Sequence, residues 1–421
     1  MSKARARLGA WLLVASQALV AAAFPTASRA AAVASKADPV VVATFDTGTN
    51  PFHPCFRRAQ GSPRELVPTY PATARPLPLK FKKTYEESLE ASQKALESIK
   101  DHTLYYVPGT NLSFYGGAQA STQFVDDYPH GAQASSQIAC EQYGMASNAQ
   151  LVILNWYDPQ DLNEAFSLVK WAADQPWIDV VHLNIQDVPT PLISPAEDIA
   201  YLISKGKFVV IAAGNGVLGA SANYPMEISR WNAPVGSLIA GANDNGGYTN
   251  YSNLDPHVVM DGCGTVAAEP DGFGDTGFSG TSSASPRITG YAARLLGELR
   301  AEFGHTGKGL LTIPSGNLRP KEGPLQDGKL VAAELHEVIR KTANPNPHDS
   351  KYDGDMDPIC WVPQPADLPF AFYPKMGYGE ISEHTLPAAF AVAAGREPMP
   401  ERPNEDRFYE LSEELRRRFG P

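Results

Sequence analysis

Four stretches of the chain are apolar almost without interruption: PVVVATF (39–45), AQLVILNWY (149–157), IDVVHLNI (178–185) and GKFVVIAAG (206–214). A strand with one wet face alternates apolar and polar residues, so near-continuous runs point to strands covered on both faces, the habit of parallel sheets. Helical patterns lie between them. NEAFSLVKWAADQ (163–175) and SPAEDIAYLISKG (194–206) carry apolar residues at helical spacing, and the second ends on Gly206, suited to a helix C-terminus. The expected class is α/β, with a mostly parallel central sheet and helices on both faces. No internal repeat is visible.

Two segments read as additions. Residues 57–82 contain Pro63, Pro68, Pro71, Pro76 and Pro78, which predicts an extended surface excursion. A helix follows, with Thr84 and Glu87 as a capping box and Tyr85, Leu89, Leu96 and Ile99 on one face. TLYYVPGTNLSFYGG (103–117) then returns to strand-like composition, giving an insert over about 57–125. Residues 399–421 form a charged tail whose Phe408, Leu411, Leu415 and Phe419 make a helical stripe suited to docking on the body of the protein.

The first 30 residues set Lys3, Arg5 and Arg7 before an apolar stretch that ends in small residues, the pattern of a secretory leader cleaved after Ala30 or Ala34. Leu8–Ala23 is shorter than the roughly 20 residues a membrane span needs and contains Gln17. No stable membrane insertion is therefore expected after leader cleavage, and the expected location is secreted or periplasmic. Removing the leader deletes four basic residues and no acidic one, taking the net charge from −11 to −15, which speaks against nucleic acid as a partner. Cys55, Cys140, Cys263 and Cys360 are an even set in an oxidising destination, which favours disulfides over metal binding.

Candidate chemistry sits at three places. In FSGTSSASPRITGYAARLL (278–296), Ile288, Ala292, Leu295 and Leu296 are helically spaced and Pro286 suits a first helical turn. Ser282 therefore stands where a tight turn enters a helix, and backbone N–H groups and the helix dipole there favour developing negative charge. Ser279, Ser283 and Ser285 fit turn or helix-start hydrogen bonding. Asp46 ends a buried strand and precedes Thr47 and Gly48, so its carboxylate emerges at the carboxyl edge of the sheet, where open α/β proteins build their sites. His130 precedes a small-residue helical run and projects from its start.

Taken in order, these blocks resemble those of the subtilisin-like serine peptidases, the subtilases. VVVATFDTGTNPFHP (40–54) resembles the family's Asp block, HGAQASSQIA (130–139) its His block and SGTSSASP (279–286) its Ser block. KFVVIAAGNGV (207–217) resembles the block that carries the oxyanion asparagine, which would be Asn215, and the likeness runs over roughly 39–395 apart from the Pro-rich insert. The resemblance implies a three-layer subtilisin-like fold over 31–398. It also implies an endopeptidase acting on protein or peptide substrates, with Ser282 as nucleophile, His130 as base and Asp46 holding the imidazole. No cofactor would be required for that chemistry.

The chain also departs from the family. Gln186 stands where the family has a glycine beside the substrate backbone, and the alternative reading is a non-catalytic peptide-binding scaffold. Cys55 falls where many members have a calcium-binding Asp, and Cys140 ends the His130 helix. The resemblance thus implies a Cys55–Cys140 disulfide in place of that ion, with Cys263–Cys360 as the second pair. In DSKYDGDMD (349–357), the alternate carboxylates Asp349, Asp353, Asp355 and Asp357 are a candidate structural calcium site.

Overall fold

The computed structural model describes residues 39–58, 71–117, 124–125, 129–155, 162–184, 195–216, 233–244, 247–249, 251–253, 255–307, 309–317, 320–345, 360 and 376–401. The leader, Gln186, the 349–357 acidic run and the tail stripe lie outside the described residues.

The sheet is built around strand β1 (Val41–Asp46), the first of the near-continuous apolar runs. The other strands are β2 (Arg75–Pro76), β3 (Leu104–Tyr106), β4 (Leu112–Tyr115), β5 (Gln150–Asn155), β6 (Val180–Leu183), β7 (Phe208–Ala212), β8 (Ser237–Asp244), β9 (Gly247–Tyr248) and β10 (Val258–Asp261). Their order is β10-β8-β7-β6-β1-β5-β4-β3-β2, with β9 on β8. Pairing is parallel except for β3 with β4 and β8 with β9.

The helices that matter for the site are α1 (Tyr85–Leu96), α2 (Gly131–Ala139), α3 (Leu162–Asp174), α4 (Pro195–Ser204) and α5 (Thr281–Phe303). Alternate residues of β1 serve two cores. Val41, Ala43 and Phe45 face α3 and α4 through Leu168, Ala172, Ile199 and Leu202, whereas Val42 joins Ile138 of α2 and Ala284, Ile288 and Leu295 of α5. Each fully buried aliphatic or aromatic side chain contributes about 1.5–3 kcal/mol. The strands are therefore largely apolar on both faces because both faces are covered, and the result is the three-layer α/β architecture expected from the runs.

The insert partly departs from expectation. Leu77 and Leu79, within the Pro-rich stretch, are buried, and Arg75–Pro76 pairs with β3 at the sheet edge. The proline content confines this strand to an edge, where both of its residues are exposed, and only the two leucines after it turn inward. Thr84 caps α1 by accepting the Glu87 N–H at 3.2 Å.

Helix α5 also differs. It begins at Thr281, so Pro286 lies inside the helix as its sixth residue and not at its entrance. Gly280 is the N-cap, with φ of 113°, a region that disfavours side chains.

The cysteines correct one expectation. Cys263 and Cys360 form a disulfide, but Cys55 and Cys140 are buried free thiols. The Cys140 thiol is turned to Gln142 Oε1 at 3.0 Å. The two loops are tied instead by Arg58, whose buried guanidinium donates to the carbonyls of Cys55, Arg57, Ala139 and Ser147 at 2.8–3.0 Å. The same corner brings the Cys55 and Cys140 thiols within hydrogen-bond reach of each other without a covalent link.

Candidate active site

Asp46 is the last residue of β1, and its carboxylate rises at the carboxyl edge of the sheet. Oδ1 accepts the Thr47 N–H at 2.8 Å and lies 2.7 Å from His130 Nδ1, while Oδ2 accepts from Asn184 Nδ2 at 3.0 Å. Burial alone would push this carboxyl up. The charge of the His130 ring, its hydrogen bond, the Thr47 amide and the Asn184 amide together outweigh burial and hold it below the ordinary carboxylate value.

His130 caps α2, and the first helical residue anchors it to the acid: the Gly131 N–H donates to Thr47 Oγ1 at 2.8 Å. The approach is so close that a Cβ on Gly131 would fall 2.2 Å from the Gly48 carbonyl oxygen. The ring meets Phe278 edge-to-face at 5.3 Å, which fixes its plane from the side.

Ser282 is the second residue of α5, where backbone N–H groups have no helical partner of their own. Asn215 follows β7 and is exposed, and its Oδ1 accepts both the Thr281 N–H at 2.8 Å and the Thr281 hydroxyl at 3.0 Å. The carbonyl end of that amide is thereby tied to the helix start. Gly280 is needed twice here, for its positive φ and because a Cβ would stand 3.2 Å from Asn215 Nδ2.

The structure thus brings Asp46 and His130 into direct contact. It joins Asp46 to the Ser282 backbone through Asn184, which also donates to the Ser282 carbonyl at 3.1 Å, and joins Asn215 to the neighbouring Thr281. The sequence reading missed Asn184 and Thr281. A signal for the first existed in HLN (182–184), two polar residues spaced by two where a buried strand ends.

Among the described residues no group of three or more His, Cys, Asp or Glu side chains is placed to hold a metal ion. Nor is any described helix long and apolar enough to cross a membrane.

Comparison with known proteins gives one consistent result. The family model described as "Subtilase family" matches residues 37–312. Subtilisin-like protease 5 of Arthroderma benhamiae is 29% identical over 182 residues, covering 41% of this chain and 44% of that protein. Subtilisin-like protease 7 of Trichophyton tonsurans is 28% identical over 207 residues, covering 45% of this chain and 50% of that protein. The chain therefore spans about half the length of these curated relatives. Among solved structures, a serine-to-alanine mutant of the protease domain of PatA superposes with a TM-score of 0.50 at 16% identity, covering 86% of this chain and 98% of that one. At that identity the likeness speaks for the fold alone.

Proposed function

Because the chain belongs to the subtilase family, we propose that it is an exported serine endopeptidase that hydrolyses peptide bonds of protein or peptide substrates through an acyl-enzyme. The observation that carries this reading is the 2.7 Å contact between Asp46 Oδ1 and His130 Nδ1, at the sheet edge that also holds the start of the Ser282 helix.

The chemistry follows from that contact. With Nδ1–H donated to a carboxylate, the basic nitrogen of His130 is Nε2. Nε2 takes the Ser282 proton as the hydroxyl oxygen attacks the scissile carbonyl, and the Asp46 charge stabilises the imidazolium that forms. The oxyanion is met by the Asn215 amide and the Ser282 N–H, with the positive end of the α5 dipole behind them. His130 then gives its proton to the leaving amine, and water cleaves the acyl-enzyme by the same route in reverse. No step calls on a cofactor. The leader-like residues 1–30 support the exported part of the reading.

The test is proteolysis of an unfolded protein by the purified chain from residue 31 onward, with Ser282→Ala as control. Wild-type cleavage, lost by a factor of about 1000 or more in the variant at unchanged circular dichroism, is the expected result. Absence of cleavage by the wild type would overturn the proposal and leave the non-catalytic peptide-binding scaffold.

A further inference from the structure

Leading away from Asp46 under the site is a line of buried polar side chains that peptide hydrolysis as derived above does not use. Strands β1 and β6 are parallel neighbours with Thr44 opposite His182, and Phe45 and Leu183 turn the other way. Thr44, Asp46, His182 and Asn184 therefore share the face that α5 covers, and none is more than 5% exposed.

Their hydrogen bonds have one consistent direction. Asn184 Oδ1 can only accept, so the Ser285 hydroxyl, 2.9 Å away, donates to it. That commits the one proton Ser285 has. His182 Nε2, also 2.9 Å from Ser285 Oγ, must then be the donor in that contact, and Nδ1, 2.9 Å from Thr44 Oγ1, the acceptor. Burial keeps the ring neutral by pushing its pKa down to about 3.

At the far end, Asn184 Nδ2 spends one N–H on Asp46 Oδ2 and the other on the Ser282 carbonyl. That carbonyl has an opening for a donor because its helical partner would be the N–H of residue 286, which is proline. A single amide thus bridges the acid and the backbone of the candidate nucleophile, and its orientation is passed up from His182.

We propose that His182 is a positioning residue: through Ser285 it fixes the Asn184 amide, and through that amide the spacing between the Asp46 carboxylate and the Ser282 backbone. The proposal rests on the reading of Ser282 as nucleophile.

The experiment compares His182→Leu, His182→Gln, Ser285→Ala and Asn184→Leu by peptide kinetics and by the low-field proton resonance of the Asp46–His130 hydrogen bond. Glutamine can donate to Ser285 and accept from Thr44 as histidine does, so it separates hydrogen bonding from packing. His182→Leu should lower kcat about tenfold or more at nearly unchanged KM and move the resonance, and His182→Gln should restore both. Should His182→Leu fail to fold, Ser285→Ala, which removes one atom, gives the same reading. If His182→Leu or Ser285→Ala folds and leaves kcat and the resonance at wild-type values while Asn184→Leu moves them, His182 has no positioning role. A resonance that responds as described in a wild type that cleaves nothing would sink the peptidase reading alone.

Discussion

His182 is fully buried, neutral and held at a pKa of about 3 against an ordinary 6.5, first by burial and then by the balance of Asp46, which raises it, and His130, which lowers it. In the unfolded chain the ring binds a proton below about pH 6.5; in the native state it refuses one until about pH 3. The unfolded state therefore holds more protons throughout that window, and native stability falls as the pH is lowered through it. Each pH unit costs about 1.4 kcal/mol, so going from pH 6.5 to pH 4 removes about 3 kcal/mol, a large part of a total of about 5–15 kcal/mol.

Other groups would blur a simple acid titration. Glu380, pushed up to about 7 first by burial and then by the Asp261 charge, takes up a proton in the native state before it does so unfolded, so it adds stability as the pH falls from about 7 towards 4.5. Asp46, held below 3.8, withdraws its contribution only at lower pH. The informative quantity is therefore the difference between wild type and His182→Gln, in which the effects of Glu380 and Asp46 cancel. Urea unfolding of both proteins at pH 7, 6, 5 and 4 should show the wild type losing about 3 kcal/mol more than the variant across the series. Parallel stability curves would refute the claim that a neutral histidine is locked beneath the site.

Three further outcomes are expected. The Arg300 guanidinium reaches Asp179 at 2.6 and 3.1 Å with both side chains buried; Asp179→Asn leaves an uncompensated cation and should cost about 3–5 kcal/mol in urea unfolding, and an unchanged midpoint would mean that the Leu310 and Pro39 carbonyls suffice. Gly131→Ala must separate the His130 helix from the Gly48 carbonyl; kcat for a peptide substrate should fall about 100-fold, and full activity would contradict the close approach. Peptide mapping without reductant should return a Cys263–Cys360 bridge with Cys55 and Cys140 as thiols that alkylate only after unfolding.

Much of the fold was legible because burial on two faces leaves a simple trace, the near-continuous apolar run, and β1, β5, β6 and β7 all carry it. The candidate residues Asp46, His130 and Ser282 were legible as motif blocks, each at an element boundary where a side chain emerges. What stayed hidden depends on partners far along the chain. Pro286 reads as a helix start from local rules, yet α5 begins five residues earlier, because Gly280 caps it and Asn184, just past the end of β6, satisfies the carbonyl that the proline leaves open. Leu77 and Leu79 sit in a proline-rich stretch whose burial only the pairing with β3 reveals. Ser285 reads as a helix-start serine, and its link to His182 exists only once α5 is laid across the sheet. The Cys55 and Cys140 thiols meet at a corner already tied by Arg58, a role that no local pattern around Arg58 announces.

The proposed chemistry needs a single activated hydroxyl, and the most direct measurement of it is the mass of the protein after reaction with a fluorophosphonate. One phosphonyl adduct per chain, located on Ser282 by peptide mapping and abolished in both Ser282→Ala and His130→Ala, is the result expected. An unmodified chain, or an adduct on a different residue, would contradict it.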